Sequence, residues 1–125
     1  MILLLDAHAL LWWLADDPDL EATARAAISD PATDVLVSAA TVWEIGIKRS
    51  LGKLEAPDEL LDAIEASGFD GLPVTLADGD AAARLPSHHR DPFDRMLVAQ
   101  ATRLGAVIVS RDAAFGPYGV DVLRA

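Results

Sequence analysis

The sequence predicts an α/β fold of three layers, with helices on both faces of a mostly parallel central sheet. Short continuous apolar runs recur along the chain, as is typical of strands that are buried on both faces. Segments with apolar residues at helical spacing lie between these runs, and proline, glycine or aspartate ends several of them. Strands that alternate with helices favour parallel pairing through crossover connections, and therefore this architecture.

In the first half of the chain, clear stop signals separate the predicted elements. Asp16-Asp17-Pro18 breaks the chain after the first helix, because proline cannot continue a helix. Asp30-Pro31 closes the second helix, and Gly52 supplies a stop signal for the third. The predicted elements are a strand at residues 2–5, a helix at about 7–15, a helix at 20–29, a strand at 35–37 and a helix at about 40–51.

The second half of the chain repeats the alternation. Gly68 and Gly105 each follow a segment with helical spacing, and Asp91-Pro92 places proline at the first position of a long helix, where it is well tolerated. The predicted elements are a helix at 57–67, a strand at 72–75, a helix at 77–85, a helix from 92 to 103, and strands at 107–109 and 120–123.

Length and composition limit the class of protein. The 125 residues are enough for one compact domain, which we predict to span residues 1–125. Cysteine is absent, which excludes disulfides, thiolate zinc sites and cysteine nucleophiles. No apolar run reaches membrane-spanning length and the first residues lack the basic leader of a signal peptide, so we predict a soluble, cytoplasmic protein.

Charge and hydrophobicity bear on the partners. A formal net charge of −10 argues against nucleic-acid binding through a broadly basic surface, although a bound metal ion and local cations can still contact RNA phosphates. A hydrophobic content of 52% favours contact with another protein. The first helix, with adjacent Trp12 and Trp13, is apolar on nearly every face, so it is either fully buried or part of an interface.

Four acidic residues stand where apolar runs give way to helix starts. Asp6 and Asp112 follow predicted strands, and Glu44 and Asp94 fall in the predicted first turns of helices. In parallel sheets, ligands bind beyond the carboxyl ends of the strands, so the fold can gather these acids at one edge. Grouped carboxylates raise one another's pKa and are stable as anions beside a hard cation such as Mg²⁺ or Mn²⁺.

Each acid also has an ordinary structural explanation. Asp6 and Asp112 can cap helices, Glu44 can complete a capping box with Thr41, and Asp94 can interact with a helix dipole. The apolar neighbours of three of these acids indicate that they approach the core, where isolated carboxylates are costly. The capping and metal-binding interpretations therefore both stay open on this evidence.

Four segments carry a resemblance to a known family. They are residues 4–12 (LLDAHALLW), residues 38–54 around Trp-Glu-Ile, residues 88–95 (HHRDPFDR) and residues 109–112 (VSRD). In this order they resemble the PIN-domain ribonucleases, specifically the VapC-type toxins of type II toxin-antitoxin modules. The resemblance runs over almost the whole chain and implies a PIN-like three-layer fold.

The resemblance implies an activity and its site. Asp6, Glu44, Asp94 and Asp112 would form an acidic metal-binding and catalytic quartet, with Asp6 and Asp94 as the direct ligands. Asp91 is assigned mainly to helix capping. The implied activity is a Mg²⁺-dependent endoribonuclease, with Mn²⁺ as an alternative ion, in which a metal-activated water hydrolyses RNA. The implied partners are a cognate antitoxin, the RNA substrate and a second copy of the chain in a homodimer. No contact with a membrane is expected.

Two other classes are compatible with parts of the pattern. A PIN-like module could bind RNA or protein without cutting. A receiver-like signalling domain also has an acidic Mg²⁺ pocket, but Asp6 is followed by Ala7 rather than a second acid, and no lysine follows Lys53.

Several polar residues near the motifs have less definite roles. Residues 88–90 (His-His-Arg) are interpreted as a surface loop that either contacts RNA phosphate through Arg90 or is merely solvated. Lys48 is spaced to pair with Glu44, and could instead contact substrate. Arg95 and Arg111 are interpreted as surface charges or phosphate-steering groups. Ser110 is interpreted mainly as a polar residue at a strand end, and alternatively as a hydrogen-bond donor to a carboxylate or bound water.

Overall fold

The computed structural model describes residues 1–125, with five strands, six α-helices and one 3₁₀ helix. The strands are β1 (Ile2–Leu5), β2 (Asp34–Ser38), β3 (Asp70–Leu72), β4 (Val107–Ser110) and β5 (Val122–Arg124). The α-helices are α1 (Ala7–Leu14), α2 (Ala22–Ser29), α3 (Ala39–Ser50), α4 (Leu60–Ala66), α5 (Leu76–Arg84) and α6 (Pro92–Leu104). The 3₁₀ helix, Ala113–Tyr118, was not predicted.

The five strands form one parallel sheet in the order β3-β2-β1-β4-β5. β1 lies at its centre, where Leu4 aligns with Leu36 of β2 and Ile108 of β4. The parallel pairing requires crossover connections, which the helices provide. The predicted α/β class with a mostly parallel sheet is therefore confirmed, and every strand in fact runs parallel.

Two strands lie slightly away from their predicted positions. β3 covers residues 70–72 rather than 72–75, and Pro73, which has no amide to donate to a neighbouring strand, follows its last residue. β5 covers residues 122–124 rather than 120–123, because the chain first turns through Gly119 at a φ of 73°. Both differences affect edge strands only, so the predicted topology is unchanged.

The hydrophobic core has two parts, one on each face of the sheet. Leu3 and Leu5 of β1 face one part, while Leu4 faces the other, as alternation along a strand requires. The first part includes Leu10 of α1 and the second includes Leu97 of α6. Full burial of a leucine side chain contributes about 1.5–3 kcal/mol, so both faces contribute to stability.

An ion pair between a buried carboxylate and a partly exposed guanidinium joins α5 and α6. Arg103 of α6 donates from Nε to Asp78 Oδ1 at 2.7 Å and from Nη2 to Asp78 Oδ2 at 3.0 Å. Asp78 also forms a capping box with Thr75 at the start of α5. The hydrogen bonds from Arg103 hold the pKa of Asp78 down at about 2.

The carboxyl ends of β1 and β4 lie side by side at one edge of the sheet. The amide of Asp6 continues the pairing by donating to Val109 O at 3.1 Å, and α1 begins at the next residue. The chain beyond β4 turns at Asp112 into the 3₁₀ helix. None of the helices is both long enough and apolar enough to span a bilayer.

Candidate active site

The four predicted acids line a single cavity of about 210 Å³ at this edge of the sheet. Asp91 lines it as well, together with the cations Lys48 and Arg111. The fold therefore brings together all the acids singled out in the sequence, whereas their roles as metal ligands stay predictions.

Asp6 directly follows β1, the central strand of the sheet. Its side chain caps α1 by accepting a hydrogen bond from the Ala9 amide at 2.9 Å, and the residue is only 9% exposed. Burial raises the pKa of Asp6, and the charge of Glu44 adds to this, while hydrogen bonds from Ser110 and Ala9 oppose it. The capping and site interpretations are thus compatible, because one oxygen serves the helix while the residue still lines the cavity.

Glu44 reaches the cavity from the second turn of α3. The sequence placed it in the first turn with Thr41 as a cap, but this was wrong, because α3 begins at Ala39 and is capped by the Ser38 side chain. Glu44 is 5% exposed, and its Oε2 lies 2.6 Å from the ammonium of Lys48 one turn later. That hydrogen bond raises the pKa of Lys48, so the ammonium acts as an internal counter-ion for the acids.

Asp94 and Asp91 approach the cavity from the start of α6. Asp91 caps this helix, since its Oδ1 accepts from the amides of Phe93 at 2.8 Å and Asp94 at 3.2 Å. Burial and then the charge of Asp91 raise the pKa of Asp94 to about 7. The metal-free cluster therefore resists full ionisation at neutral pH.

Asp112 is the most exposed of the predicted acids, and both its oxygens have protein partners. Oδ1 accepts from the Ala114 amide at 2.9 Å, which caps the 3₁₀ helix, and Oδ2 lies 3.1 Å from His89 Nε2. The Ser110 hydroxyl accepts from the Asp112 amide at 3.0 Å. Ser110 thus contacts two of the acids and is more than a polar strand end.

His89 is the site residue that the sequence interpretation missed. It was assigned to a surface loop, but its ring is mostly buried, and Nε2 lies 2.8 Å from Asp94 Oδ2 as well as 3.1 Å from Asp112. The adjacent His88 is exposed in the structure. Nothing in the sequence positions of the two histidines shows which ring is buried. The one usable signal is the proximity of His89 to Asp91 and Asp94 in sequence.

Two arginines that could have steered phosphate are instead structural. Arg95 donates to backbone carbonyls at the end of α5 and in the following loop, including Ala82 and Leu85, both at 2.9 Å. Arg111 stacks over Trp12, with its guanidinium carbon 4.3 Å from the centroid of the ring, and donates to Ala125 O. Both guanidinium groups are held by the fold, which leaves Lys48 as the more available cation at the cavity.

The donors in the cavity fit a hard divalent cation. Glu44 and Asp94 each use one carboxylate oxygen in a pair, with Lys48 and His89 respectively, and retain the other. Burial is the main cause of the raised pKa values of Asp6 and Asp94, and the charges of neighbouring acids add to it, so a bound cation would favour the ionised carboxylates. An all-carboxylate set suits Mg²⁺ or Mn²⁺ better than softer metals.

Comparison with known families identifies the chain. The model of the PIN domain family matches residues 3–119, which include all the acids of the cavity. The chain belongs to the PIN domain family. The receiver-like alternative therefore has no further support. Among curated proteins, none matches this PIN domain in sequence.

Solved structures share the fold of this PIN domain. It matches a chain of the DNA-bound VapBC2 complex from Rickettsia felis with a TM-score of 0.71 and 11% identity, over 98% of both chains. A chain of the DNA-bound VapBC complex from Salmonella typhimurium matches with a TM-score of 0.68 and 17% identity, over 98% of this chain and 97% of that one. A chain of FitAcB from Neisseria gonorrhoeae matches with a TM-score of 0.64 and 19% identity, over 99% and 97%.

Proposed function

We propose that this PIN domain is a VapC-type toxin, a metal-dependent endoribonuclease of a type II toxin-antitoxin module. The observation that best supports the proposal is the convergence of Asp6, Glu44, Asp94 and Asp112 on one small cavity. Three of them extend from the carboxyl ends of the central strands or from the first turn of α6. Membership of the PIN domain family supports a nuclease activity at this cavity.

The proposed reaction is hydrolysis of an RNA phosphodiester. A divalent cation, Mg²⁺ or Mn²⁺, supplies an activated water and neutralises phosphate charge when it is bound. Asp6 and Asp94 would hold it directly, and Glu44 and Asp112 would complete its shell or position the water. The water oxygen bonds to phosphorus, the bond from phosphorus to O3′ breaks, and O3′ takes up a proton, which leaves a 5′-phosphate and a 3′-hydroxyl.

Lys48 is the residue best placed to bind the substrate's phosphate. Its ammonium has three N–H donors and makes one hydrogen bond, to Glu44 at 2.6 Å. The remaining donors can reach a phosphate oxygen at the mouth of the cavity, so a chain with a net charge of −10 has a local cation for an anionic substrate.

The proposed partners are a cognate antitoxin and a second copy of this chain, in the cytoplasm. The similar structures from Rickettsia felis and Salmonella typhimurium are VapBC complexes, which supports the antitoxin. The acidic cavity and the net charge complement a basic antitoxin segment. Co-expression with the neighbouring gene product should give a complex with a raised melting temperature and suppressed cleavage, and an unchanged melting temperature with full activity would contradict this.

A set of amide substitutions tests the catalytic assignment. We expect Asp6→Asn, Glu44→Gln and Asp94→Asn each to keep the fold and to lose more than about 100-fold in RNA cleavage. This loss is larger than the one that follows removal of a residue that only hydrogen-bonds to a metal ligand. Asp62→Asn on the exposed face of α4 is the matched control and should cleave like the wild type. Wild-type activity in the first three variants, with the metal concentration controlled, would contradict the assignment.

A further inference from the structure

His89 is held in place by contacts on every side. Its amide donates to the Tyr118 hydroxyl at 2.8 Å, and its carbonyl accepts from Arg95 at 3.3 Å. The ring packs against Phe115, with ring centroids 5.8 Å apart. A loop residue with a merely solvated side chain would not need this support, so the position of the imidazole is built into the fold.

The hydrogen bonds of the ring define which nitrogen carries the hydrogen. Nδ1 accepts from the Asp91 amide at 3.2 Å, which requires a lone pair on Nδ1. A neutral imidazole then carries its hydrogen on Nε2. Nε2 faces Asp94 Oδ2 at 2.8 Å and Asp112 Oδ2 at 3.1 Å, and both oxygens are acceptors. Nε2–H therefore hydrogen-bonds Asp112, while Asp94 Oδ2 lies against the same nitrogen.

The same geometry argues against His89 as a metal ligand. His89, Asp94 and Asp112 are close enough together to hold an ion. However, a coordinating Nε2 needs a free lone pair, and the hydrogen would then move to Nδ1, where it would oppose the Asp91 amide. Metal-binding histidines instead donate their second N–H to an acceptor. The donor arrangement is thus that of a group that orients carboxylates.

We propose that His89 is a positioning residue of the active site, which holds Asp112 through its Nε2–H and sets Asp94 beside the same nitrogen. The inference rests on the proposed metal-dependent activity. The contact with His89 is made by Oδ2 of Asp94, and Oδ1 is left for a cation. Each oxygen of Asp112 has one protein partner, the Ala114 amide for Oδ1 and His89 for Oδ2, so His89 and the 3₁₀ helix together set the orientation of this carboxylate.

Three substitutions separate this role from simple packing. His89→Phe keeps a ring against Phe115 but removes both nitrogens. His89→Gln restores an N–H at about the position of Nε2. His88→Phe is the matched control, because His88 is the adjacent, exposed histidine and pairs with no carboxylate, while phenylalanine can keep its ring contact with Tyr118. Each protein is measured for Mg²⁺ affinity by calorimetry, for melting temperature in EDTA, and for kcat and KM on RNA.

We expect His89→Phe to lose about 10- to 100-fold in Mg²⁺ affinity or in kcat, with the KM for RNA unchanged, because loss of an outer partner typically costs this much. His89→Gln should recover most of the loss, and His88→Phe should match the wild type. Equal Mg²⁺ affinity and kcat in His89→Phe and His88→Phe would overturn the inference. Equal losses in the Phe and Gln variants would overturn the role of the donor.

The two proposals fail in different ways. Absence of cleavage by the wild-type protein would contradict the nuclease assignment, whereas the calorimetric comparison of His89→Phe with His88→Phe would still test the positioning role. Cleavage by the wild type with no effect of His89→Phe would overturn the positioning role alone.

Discussion

Replacing Asp94 with asparagine should stabilise the metal-free protein at pH 8. The pKa of Asp94 is raised from 3.8 to about 7, first by burial and then by the charge of Asp91. Ionising this carboxyl in the folded protein therefore costs free energy that the unfolded chain does not spend. Asparagine is nearly the same shape, and its carbonyl can still accept from His89, but it carries no charge.

The size of the effect follows from the pKa difference. A difference of about 3 corresponds to about 4 kcal/mol at 1.36 kcal/mol for each pKa unit. The Asp94 side chain keeps some contact with water, which screens its charge, so we expect about 2 kcal/mol. For a domain of this size that corresponds to a rise of roughly 5–10 °C in melting temperature.

The sign of the pH dependence is equally specific. A carboxyl with a raised pKa in the folded state destabilises the folded protein progressively as pH rises from about 4 to about 7. Above pH 7 the loss of folding free energy is complete. The melting temperature of Asp94→Asn should therefore exceed that of the wild type by a large amount at pH 8, by less at pH 5 and not at all below pH 4. Thermal unfolding in EDTA at these pH values, followed by circular dichroism, measures it.

Addition of Mg²⁺ should reverse the order of stability. A cation that binds only the folded state raises the melting temperature of the wild type, and the variant, which has lost one anionic ligand, should respond weakly. The reasoning is refuted if Asp94→Asn is no more stable than the wild type at pH 8 in EDTA, or if the difference does not change with pH.

Three further predictions concern the neighbours of the site and the scaffold. Lys48→Met should lower the melting temperature in EDTA and increase the stabilisation by Mg²⁺, because Glu44 loses its counter-ion; an unchanged Mg²⁺ response would contradict this. Asp78→Asn should lower the melting temperature at pH 7, and the loss should shrink as pH falls from about 4 to about 2, since the pKa of Asp78 is lowered to about 2 by Arg103; a loss independent of pH would count against it. Arg95→Ala should expose the amides of the loop before α6 to hydrogen exchange and reduce cleavage, whereas unaltered exchange would show that its carbonyl contacts are dispensable.

The sequence was a good guide to the sheet because its signals were local. The run at residues 2–5 is apolar without interruption, and the structure buries Leu3, Leu4 and Leu5 completely at the centre of the sheet. Pro92 and Gly105 mark the ends of α6 in the way their backbone preferences require. The edge strands were less well placed, because few buried residues define them and short turns decide where pairing begins.

The site was predictable as far as its carboxylates and the pair of Glu44 with Lys48. Asp6 and Asp112 follow the two central strands of this edge, β1 and β4, so parallel topology was enough to bring them together. The place of His89 depends on Tyr118, Phe115 and Arg95, which are distant in sequence. Sequence patterns carry no information about such long-range contacts. For the same reason, the sequence could not show that Arg111 stacks on Trp12.

The central claim is that the acidic cavity makes this chain a metal-dependent ribonuclease. Its most direct test is cleavage of a labelled structured RNA by the partner-free protein in Mg²⁺, in Mn²⁺ and in EDTA, beside Asp94→Asn purified identically. We predict cleavage by the wild type alone, abolished by EDTA, with 5′-phosphate and 3′-hydroxyl ends. Cleavage that persists in EDTA, or equally in Asp94→Asn, would contradict the claim, as would no cleavage by a folded protein that binds Mg²⁺.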